Sequence, residues 1–322
     1  MLWKQIFAAL SPPGNASRLS VLIFHRVLRE KDPLLPFEPD GDEFEERLRW
    51  VRQWFNVLSL VDAVRRLKEG TLPARPMCIT FDDGYANNAD IALPILLRVG
   101  LKATFFIATA FLDGGRMWND TVIESIRRCK SQDLDLSDLG LGVHPLGSIS
   151  ERMRAIDDLL PRLKYLPPDK RDQTAAAIGT IAKAALPSDL MMASAQVKAL
   201  GDAGMTLGAH TDSHPILTVI DEPDVEREIV VGRRKLEAVA QSPVTLFAYP
   251  NGQPEKDYSM QHVKLVRRLG FEGAVSTAPG VAIASSDAFQ IPRFTPWDRT
   301  RLRYGARLAQ NLRADAQAFQ LH

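Results

Sequence analysis

Short apolar runs alternate with amphipathic segments along most of the chain. The runs are rich in β-branched and aromatic residues, as is typical of buried strands, and the segments between them carry apolar residues at helical spacing. The predicted strands lie at residues 21–25, 55–58, 78–81, 103–108, 206–209, 244–249, 273–276 and 289–293. The predicted helices lie at residues 43–55, 59–69, 88–99, 222–240 and 258–269. Because the connections are short, the alternation predicts parallel strands joined by helical crossovers, which is an α/β fold.

One long stretch, residues 117–203, breaks this alternation. It is mostly helical in pattern, rich in Ala, Leu, Arg and Asp, and contains no convincing strand. We interpret it as a helical insertion on a barrel. Within it, residues 133–150 carry three glycines and are predicted to form a loop around His144. A lone histidine in a loop is usually solvated, and we assign this one no role.

Both ends of the chain lie outside the predicted barrel, which spans residues 19–298. Residues 1–18 begin with an amphipathic helix that either packs on the body, the interpretation we favour, or lies on a membrane surface. Residues 299–322 carry five arginines on a predicted basic helix, which is most simply a solvated face, although it could contact a membrane or a partner. The N-terminal apolar stretch is too short to span a bilayer, and no export signal is evident. We therefore expect a cytoplasmic protein with peripheral membrane contact.

The charge balance limits the classes of partner. Among 322 residues, 40 are basic and 39 acidic, so the formal charge is +1. This balance gives no argument for nucleic acid and is compatible with a neutral carbohydrate. The chain is long enough for a single α/β barrel with an insertion. Its two cysteines, Cys78 and Cys129, do not make a disulfide framework, and Cys78 lies in an apolar run where a buried, reduced thiol is expected.

Candidate chemistry begins where the apolar run 77–81 ends in Asp82, Asp83 and Gly84. Adjacent side chains on an extended chain point to opposite sides, so the two carboxylates take different roles unless the backbone turns, and glycine permits that turn. One carboxylate can bind a cation while the other handles a proton. The structural alternative is an acidic turn that caps the next helix.

A second candidate follows the strand at residues 206–209, where His210 and His214 lie four residues apart. Two imidazoles and one carboxylate make a typical three-ligand catalytic metal site with an open position for water. Barrel active sites form where the C-terminal ends of strands converge, so Asp83 can join the histidines, with Asp82 as general base. In isolation, the pair could instead be a strand cap and a turn residue before a proline.

Two further strand ends carry polar residues. His25 follows the strand at 21–25 and is the best candidate by position for the acid that protonates a leaving group, although a histidine bonded to a backbone carbonyl is the alternative. Asn251 follows Tyr249 and Pro250, and its backbone N–H could face a developing oxyanion. Pro-Asn-Gly is also ordinary turn chemistry, so this motif is weak alone.

Together these motifs resemble those of the polysaccharide deacetylases of carbohydrate esterase family four, which share the NodB homology domain. Residues 80–84 match the first motif of the family and residues 210–215 match the second, and the resemblance covers about 20–296 apart from the insertion. It implies a distorted (β/α) barrel of about seven parallel strands and metal-dependent hydrolysis of an N-acetyl group on an amino sugar. It also implies a divalent metal, with zinc the expected ion and cobalt or nickel as alternatives.

The matched motifs imply that Asp82 is the catalytic base and that the metal ligands are Asp83, His210 and His214. The third motif departs from the family pattern, because Ala248 stands where an arginine is usual and Asn251 where a tyrosine is common.

Residues 249–252 resemble the branch that acts on exopolysaccharides, which makes Tyr249 and Pro250 candidate substrate contacts. The usual late Leu-x-x-His motif is missing, and residues 22–25 carry it at the N-terminus, as in circularly permuted members. This supports His25 as the acid, while Arg293 could orient Asp82 in place of the missing arginine.

The predicted function is removal of N-acetyl groups from N-acetylhexosamine units of a bacterial exopolysaccharide or its precursor. One alternative is the same metal site acting on another amide or formamide of a lipid-linked sugar. Another is a carbohydrate-binding protein without catalysis, although binding alone requires neither a base nor an acid.

Overall fold

The computed structural model of the protein describes residues 2–314 and 320–321. The strands of this part of the chain are β1 (Ser20–Phe24), β2 (Asn56–Val57), β3 (Pro76–Phe81), β4 (Thr104–Ile107), β5 (Asp133–Leu136), β6 (Gly142–Pro145), β7 (Thr206–Ala209), β8 (Leu246–Ala248) and β9 (Gly273–Val275). The α-helices are α1 (Leu2–Leu10), α2 (Gly41–Trp54), α3 (Leu60–Glu69), α4 (Leu93–Val99), α5 (Trp118–Arg128), α6 (Ile149–Lys164), α7 (Pro168–Ile181), α8 (Ser194–Asp202), α9 (Glu222–Ala240), α10 (Met260–Arg268) and α11 (Arg301–Asn311).

Seven of these strands form one sheet in which every pairing is parallel. The neighbours run in the order β1-β3-β4-β7-β8-β9, and β2 pairs with the start of β3. Helices connect the strands, so the sheet curls and brings the C-terminal ends of its strands to one edge. The predicted barrel of about seven parallel strands is confirmed.

The gap between β9 and β1 is covered by an extended segment rather than by a strand. The N–H of Ile291 donates to Ala274 of β9, and the N–H of Phe294 donates to Val21 of β1. The predicted strand at residues 289–293 is therefore wrong, since only one bridge joins it to β9. Pro292 has no N–H to donate, and the segment crosses from one strand to the other within a few residues.

Local signals set most helix ends. Ser59 caps α3 by accepting from the N–H of Asp62, and Gly70 ends it in the left-handed region, as predicted. Helix α2 starts two residues before its predicted start at residue 43. Asp40, not Asp42, accepts from the N–H of Glu43, which starts the helix at Gly41.

The insertion between β4 and β7 contains α5–α8 and its own buried apolar cluster. It also contains an antiparallel hairpin of β5 and β6, so the prediction that it has no strand is wrong. Only alternate residues of β5 are buried, and four residues are too few for this alternation to stand out in the sequence. His144 lies on β6, not in a solvated loop. It is buried, and its Nε2 lies 3.0 Å from the carbonyl oxygen of Leu141.

The N-terminal helix packs on the body of the protein. Phe7 of α1 is fully buried, and its ring centre lies 4.5 Å from that of Phe55. At the other end, α11 buries Tyr304 and Leu308, while residues 315–319 and 322 of the predicted basic helix lie outside the described residues. None of the described helices has the length and apolar character needed to cross a bilayer. Peripheral membrane contact stays a prediction.

Candidate active site

The candidate catalytic residues meet in one cavity at the C-terminal edge of the sheet. This cavity has a volume of about 600 Å³ and is lined by residues that follow β1, β3, β7 and β8, together with side chains of the insertion. It is lined by the five titratable residues that the sequence motifs singled out, namely His25, Asp82, Asp83, His210 and His214. Convergence of strand ends explains how residues far apart in the chain share one site.

Three side chains form a compact ligand set. The Nε2 atoms of His210 and His214 each lie 3.5 Å from Oδ1 of Asp83, and the two Nε2 atoms lie 3.1 Å from each other. One ligand atom from each residue lies within 4.8 Å of the others, a spacing at which the three residues could hold a metal ion. The side chains are almost fully shielded from solvent.

The backbone at these ligands is unusual. Asp83, Thr211 and His214 have φ angles of 77°, 64° and 55°, in the left-handed region that non-glycine residues rarely adopt. Gly84 follows with a φ of 95°. The turn that lets Asp82 and Asp83 point apart therefore involves Asp83 itself as well as the predicted glycine. Such conformations cost free energy and persist where surrounding structure holds them.

Contacts behind the ligands hold them in place. Nδ1 of His210 lies 2.8 Å from the carbonyl oxygen of Ala248, so its Nε2 is directed into the cavity. Glu228 of α9 accepts hydrogen bonds from the N–H groups of Asp212 and Ser213, at 3.1 and 2.7 Å. These hydrogen bonds to Glu228 stabilise the turn that carries both histidines.

The pKa values of the three ligand residues depend on one another's charges. Burial raises the pKa of Asp83, but the hydrogen bond from His210 and the neighbouring positive charges outweigh it and hold the pKa well below its usual range. Burial also opposes a charge on His210, yet Asp83 and Asp82 raise the pKa of its imidazole. Burial and the charge of His210 lower the pKa of His214 to about 3.

These residues fit a divalent metal. Two imidazole nitrogens and one carboxylate oxygen are the donor set of many catalytic zinc sites and also suit cobalt and nickel. A buried Asp83 carboxylate needs a positive charge beside it, and His214 is neutral at ordinary pH, which is the state that binds metal.

Asp82 has a different partner from Asp83. Nη1 and Nη2 of Arg293 donate to its two carboxylate oxygens, each at 2.6 Å. Burial works to raise the pKa of Asp82, but Arg293 and His210 reverse that effect and leave the pKa below its usual value. Asp82 is thus an ionised carboxylate in a fixed orientation next to the ligand set, with Oδ2 3.9 Å from Nε2 of His210. The structure brings Arg293 and Asp82 together as the sequence analysis expected.

His25 lies on the wall of the cavity, one residue beyond β1. Its carbonyl oxygen accepts a 2.9 Å hydrogen bond from the side chain of Asn88, which fixes the backbone there. Glu38 lines the same wall and accepts from the N–H of Arg26. Burial raises the pKa of Glu38, while the nearby charge of His25 opposes that shift.

Of the three candidate site residues after β8, one lines the cavity. Asn251 lines the cavity, with a φ of 59°, and its carbonyl oxygen accepts from Thr277. Tyr249 and Pro250 are buried and are not among the residues that line the cavity, so their role as substrate contacts stays a prediction without support from the cavity lining. The ring of Tyr249 is buried against Tyr258, 3.9 Å between centres, and its hydroxyl donates to the carbonyl oxygen of Phe289.

Several cavity residues were missed by sequence analysis. Asp120 and Arg171 come from the insertion, where no motif marked them, and Glu38 comes from the loop after His25. Asp120 lies 3.7 Å from the guanidinium of Arg26, and burial raises its pKa to about 6. The position of Glu38 shortly after a strand-end histidine was the one signal that could have drawn attention to it.

The fold is a curled sheet of parallel strands, and its candidate site combines three residues that could hold a metal ion with a separate carboxylate. The sequence model of the polysaccharide deacetylase family matches residues 69–156 and 162–274, more than half of the chain. The chain belongs to the polysaccharide deacetylase family.

Solved structures with the same fold support this assignment. The Streptococcus pyogenes deacetylase PplD, solved in complex with acetate, has a TM-score of 0.60 at 18% identity, covering 92% of this chain and 99% of that one. IcaB from Ammonifex degensii has a TM-score of 0.58 at 18% identity, covering 94% and 99%. At this identity the likeness concerns the fold. The poly-β-1,6-N-acetyl-D-glucosamine N-deacetylase of Staphylococcus epidermidis is 24% identical over 144 residues, covering 40% of this chain and 50% of the relative.

Proposed function

We propose that this protein is a zinc-dependent deacetylase that removes N-acetyl groups from N-acetylhexosamine units of a bacterial exopolysaccharide or its precursor. The observation that carries the proposal is the meeting, in one cavity, of a three-residue ligand set and a separate carboxylate held by Arg293. A simple binding site would need neither the second carboxylate nor its buried counter-ion.

The roles follow from the positions of the residues. Asp83, His210 and His214 would hold the metal, which when bound supplies a Lewis acid that polarises the acetyl carbonyl and lowers the pKa of water. Cobalt and nickel suit the same donors and are alternatives to zinc.

Asp82 acts as the general base. Its carboxylate is ionised at neutral pH and lies beside the ligand set, so it can take a proton from the attacking water. Arg293 holds both oxygens and fixes the orientation of the carboxylate.

His25 acts as the general acid that protonates the departing amine of the sugar, because it lines the same cavity and can donate from a ring nitrogen. The backbone N–H of Asn251 faces the oxyanion that develops when water attacks the acetyl carbon. Acetate and the free amino sugar then leave.

The choice of N-acetylglucosamine as the sugar rests on distant relatives. The name of the Staphylococcus epidermidis relative specifies a β-1,6-linked N-acetylglucosamine polymer, and half of that protein is aligned with this chain. The exopolysaccharide substrate is carried from that relative to this chain as a proposal. A cytoplasmic location with peripheral membrane contact is also a proposal, and cell fractionation that recovers the protein in the periplasm would overturn it.

The test is acetate release from N-acetylglucosamine oligomers of β-1,4 and β-1,6 linkage. The protein is stripped of metal and reloaded with zinc, cobalt or nickel. Release that requires reloading establishes the reaction, and the preferred linkage identifies the class of polymer. Asp133→Asn is a matched control for Asp82→Asn, the variant of the proposed base. It changes an exposed carboxylate on β5 and should retain full activity. Metal bound at the site without acetate release from either oligomer would contradict the proposed substrate.

A further inference from the structure

One wall of the cavity is basic. Three charged side chains line this wall, and all three are positive. Lys164 comes from α6, Arg171 from α7, and Lys256 from the segment after β8. Lys164 is half-buried at the end of α6, Arg171 is 3% exposed in the first turns of α7, and Lys256 is exposed. Two of the three residues belong to the insertion, so this wall is separate from the motifs that carry the chemistry.

The two lysines flank one aromatic ring. Nζ of Lys256 and of Lys164 lie 4.7 and 5.5 Å from the ring centre of Tyr165. The nearby carboxylate, Asp257, is fully buried and accepts hydrogen bonds from the hydroxyl of Tyr165 and the N–H of Gln253. Within the described part of the chain, neither ammonium group forms an ion pair with a carboxylate. Two positive charges therefore face the cavity with one buried carboxylate behind them.

Arg171 adds a third positive charge. Its Nε donates to Asp172, which does not line the cavity, and its guanidinium lies 5.4 Å from the ring centre of Trp118. Arg171 lines the same cavity as the ligand set. A buried arginine of this kind is suited to planar oxyanions, which it can bind through two N–H groups.

The carboxylates elsewhere in the cavity do not neutralise this wall. Asp82 is paired with Arg293, and Asp120 lies beside Arg26. Glu38 accepts from the N–H of Arg26 and lies near His25. Asp83 belongs to the metal ligand set. Burial lowers the pKa of Lys164, Asp257 opposes that shift, and the like charge of Lys256 adds to it.

We propose that the substrate carries an anionic group, a carboxylate or a phosphate, close to the acetylated amino sugar, and that Lys164, Arg171 and Lys256 bind it. This inference rests on the proposed function and specifies its substrate class. A neutral acetamido sugar would offer no counter-charge to the two lysines or to the N–H groups of Arg171 that Asp172 does not bind. The carboxylate would come from a neighbouring uronic acid, and the phosphate from a sugar phosphate or a lipid-linked precursor.

The first experiment compares substrates of matched length in the zinc-loaded enzyme. Acetate release is measured for neutral β-1,4-linked N-acetylglucosamine tetramers against tetrasaccharides that alternate N-acetylglucosamine and glucuronic acid, and for N-acetylglucosamine against its 1-phosphate. We expect kcat/KM to favour one of the two anionic substrates by at least about tenfold, and to fall with added salt for that substrate only. Which anionic substrate is favoured distinguishes the uronic acid from the phosphate. Equal kcat/KM for neutral and anionic substrates would overturn the inference.

The second experiment uses the Lys164→Ala/Lys256→Ala double variant. Loss of the two lysine charges should raise KM for the anionic substrate by at least about tenfold, with kcat and the kinetics of the neutral substrate unchanged. Lys264→Ala removes an exposed lysine of α10 and should have no effect on either substrate. Arg171→Gln should give the same pattern, and Arg171→Lys should recover part of the affinity. Because Arg171 is buried, the lysine double variant keeps the test valid if the Arg171 variants do not fold.

Calorimetric binding separates this inference from the proposed function. If wild-type protein binds the acidic tetrasaccharide in preference to the neutral tetramer but releases no acetate from any substrate, the anion site stands and the proposed reaction fails. If acetate is released from neutral oligomers and binding shows no preference for the anion, the reaction stands and the anion site is overturned.

Discussion

Arg293 and Asp82 are 211 positions apart in sequence and form a two-pronged ion pair with both N–O distances at 2.6 Å. The remaining donor of the guanidinium, Nε, reaches the carbonyl oxygen of Ser276 at 2.9 Å, and Nη1 also contacts the hydroxyl of Thr80. The arginine side chain is fully buried. Every part of the pair is thus fixed by the barrel, and the carboxylate cannot rotate away from the ligand set without breaking two charged hydrogen bonds.

Replacing this arginine should disable the base without touching the metal ligands. In Arg293→Gln, the buried carboxylate loses its counter-ion, so the pKa of Asp82 rises and the acid limb of the kcat profile moves to higher pH. Loss of one partner of a buried ion pair also lowers the free energy of unfolding by about 3–5 kcal/mol. The measurements are kcat against pH and thermal unfolding. An unchanged acid limb would show that Arg293 does not control the charge of Asp82.

A double variant provides the control for Arg293→Gln. Adding Asp82→Asn removes the unpaired buried charge, so Arg293→Gln/Asp82→Asn should be more stable than the sum of the two single changes predicts. Additive losses of stability would indicate that the two side chains are not coupled.

Measurements of metal content should distinguish the proposed base, Asp82, from the proposed metal ligands. Asp82→Asn should lower kcat by about 10²–10⁴ while the protein retains its metal, because this residue moves a proton rather than holding the ion. His210→Ala should lose both activity and metal, since it removes one of three ligands. Metal content by elemental analysis after dialysis checks both. Retained turnover in Asp82→Asn would contradict its assignment as the base.

The proposed acid makes a different prediction. His25→Gln should lower kcat by about 10²–10⁴ and leave metal content unchanged, because His25 lines the cavity but is not in the ligand set. The loss should be smaller for a synthetic substrate whose leaving group needs no proton, which is a result that a purely structural histidine would not give. Equal losses for both leaving groups would argue against the acid role.

The sequence predicted those parts of the site that depend on one strand end at a time. The adjacent carboxylates Asp82 and Asp83 needed only an apolar run and a turn to be visible, and His210 and His214 stand out by their spacing. The ion pair between Arg293 and Asp82 could be suggested from the absence of another arginine, but its geometry depends on how the segment after β9 crosses to β1.

The failures of sequence analysis have physical causes of a different kind. Tyr249 and Asn251 lie two positions apart after the same strand end, yet the side chain of Tyr249 lies in the core while Asn251 lines the cavity. Residues two apart share a face only on an extended chain, and Asn251, with a φ of 59°, lies in a turn. Arg171 and Asp120 lie on helices of the insertion, where helical periodicity identifies the apolar face but not which polar residues turn toward the barrel. Their positions depend on how two separately packed cores meet.

Asp120 should make the stability of the protein depend on pH in a recognisable way. Burial raises its pKa to about 6 from an ordinary 3.8, even with Arg26 nearby. The folded state therefore binds this proton more tightly than the unfolded state, and the stability it contributes is complete below about pH 4 and is lost as the pH rises through about 6. Asp120→Asn removes the effect. Relative to wild type, the variant should gain about 2 kcal/mol between pH 4 and pH 7. Denaturant unfolding at both pH values measures the change, and Asn119→Ala, a neutral neighbour in the same cavity wall, should differ from wild type by a constant amount. A stability difference for Asp120→Asn that is equally flat with pH would show that this carboxylate is ionised in the folded protein at pH 5 and above, and that Arg26 outweighs its burial.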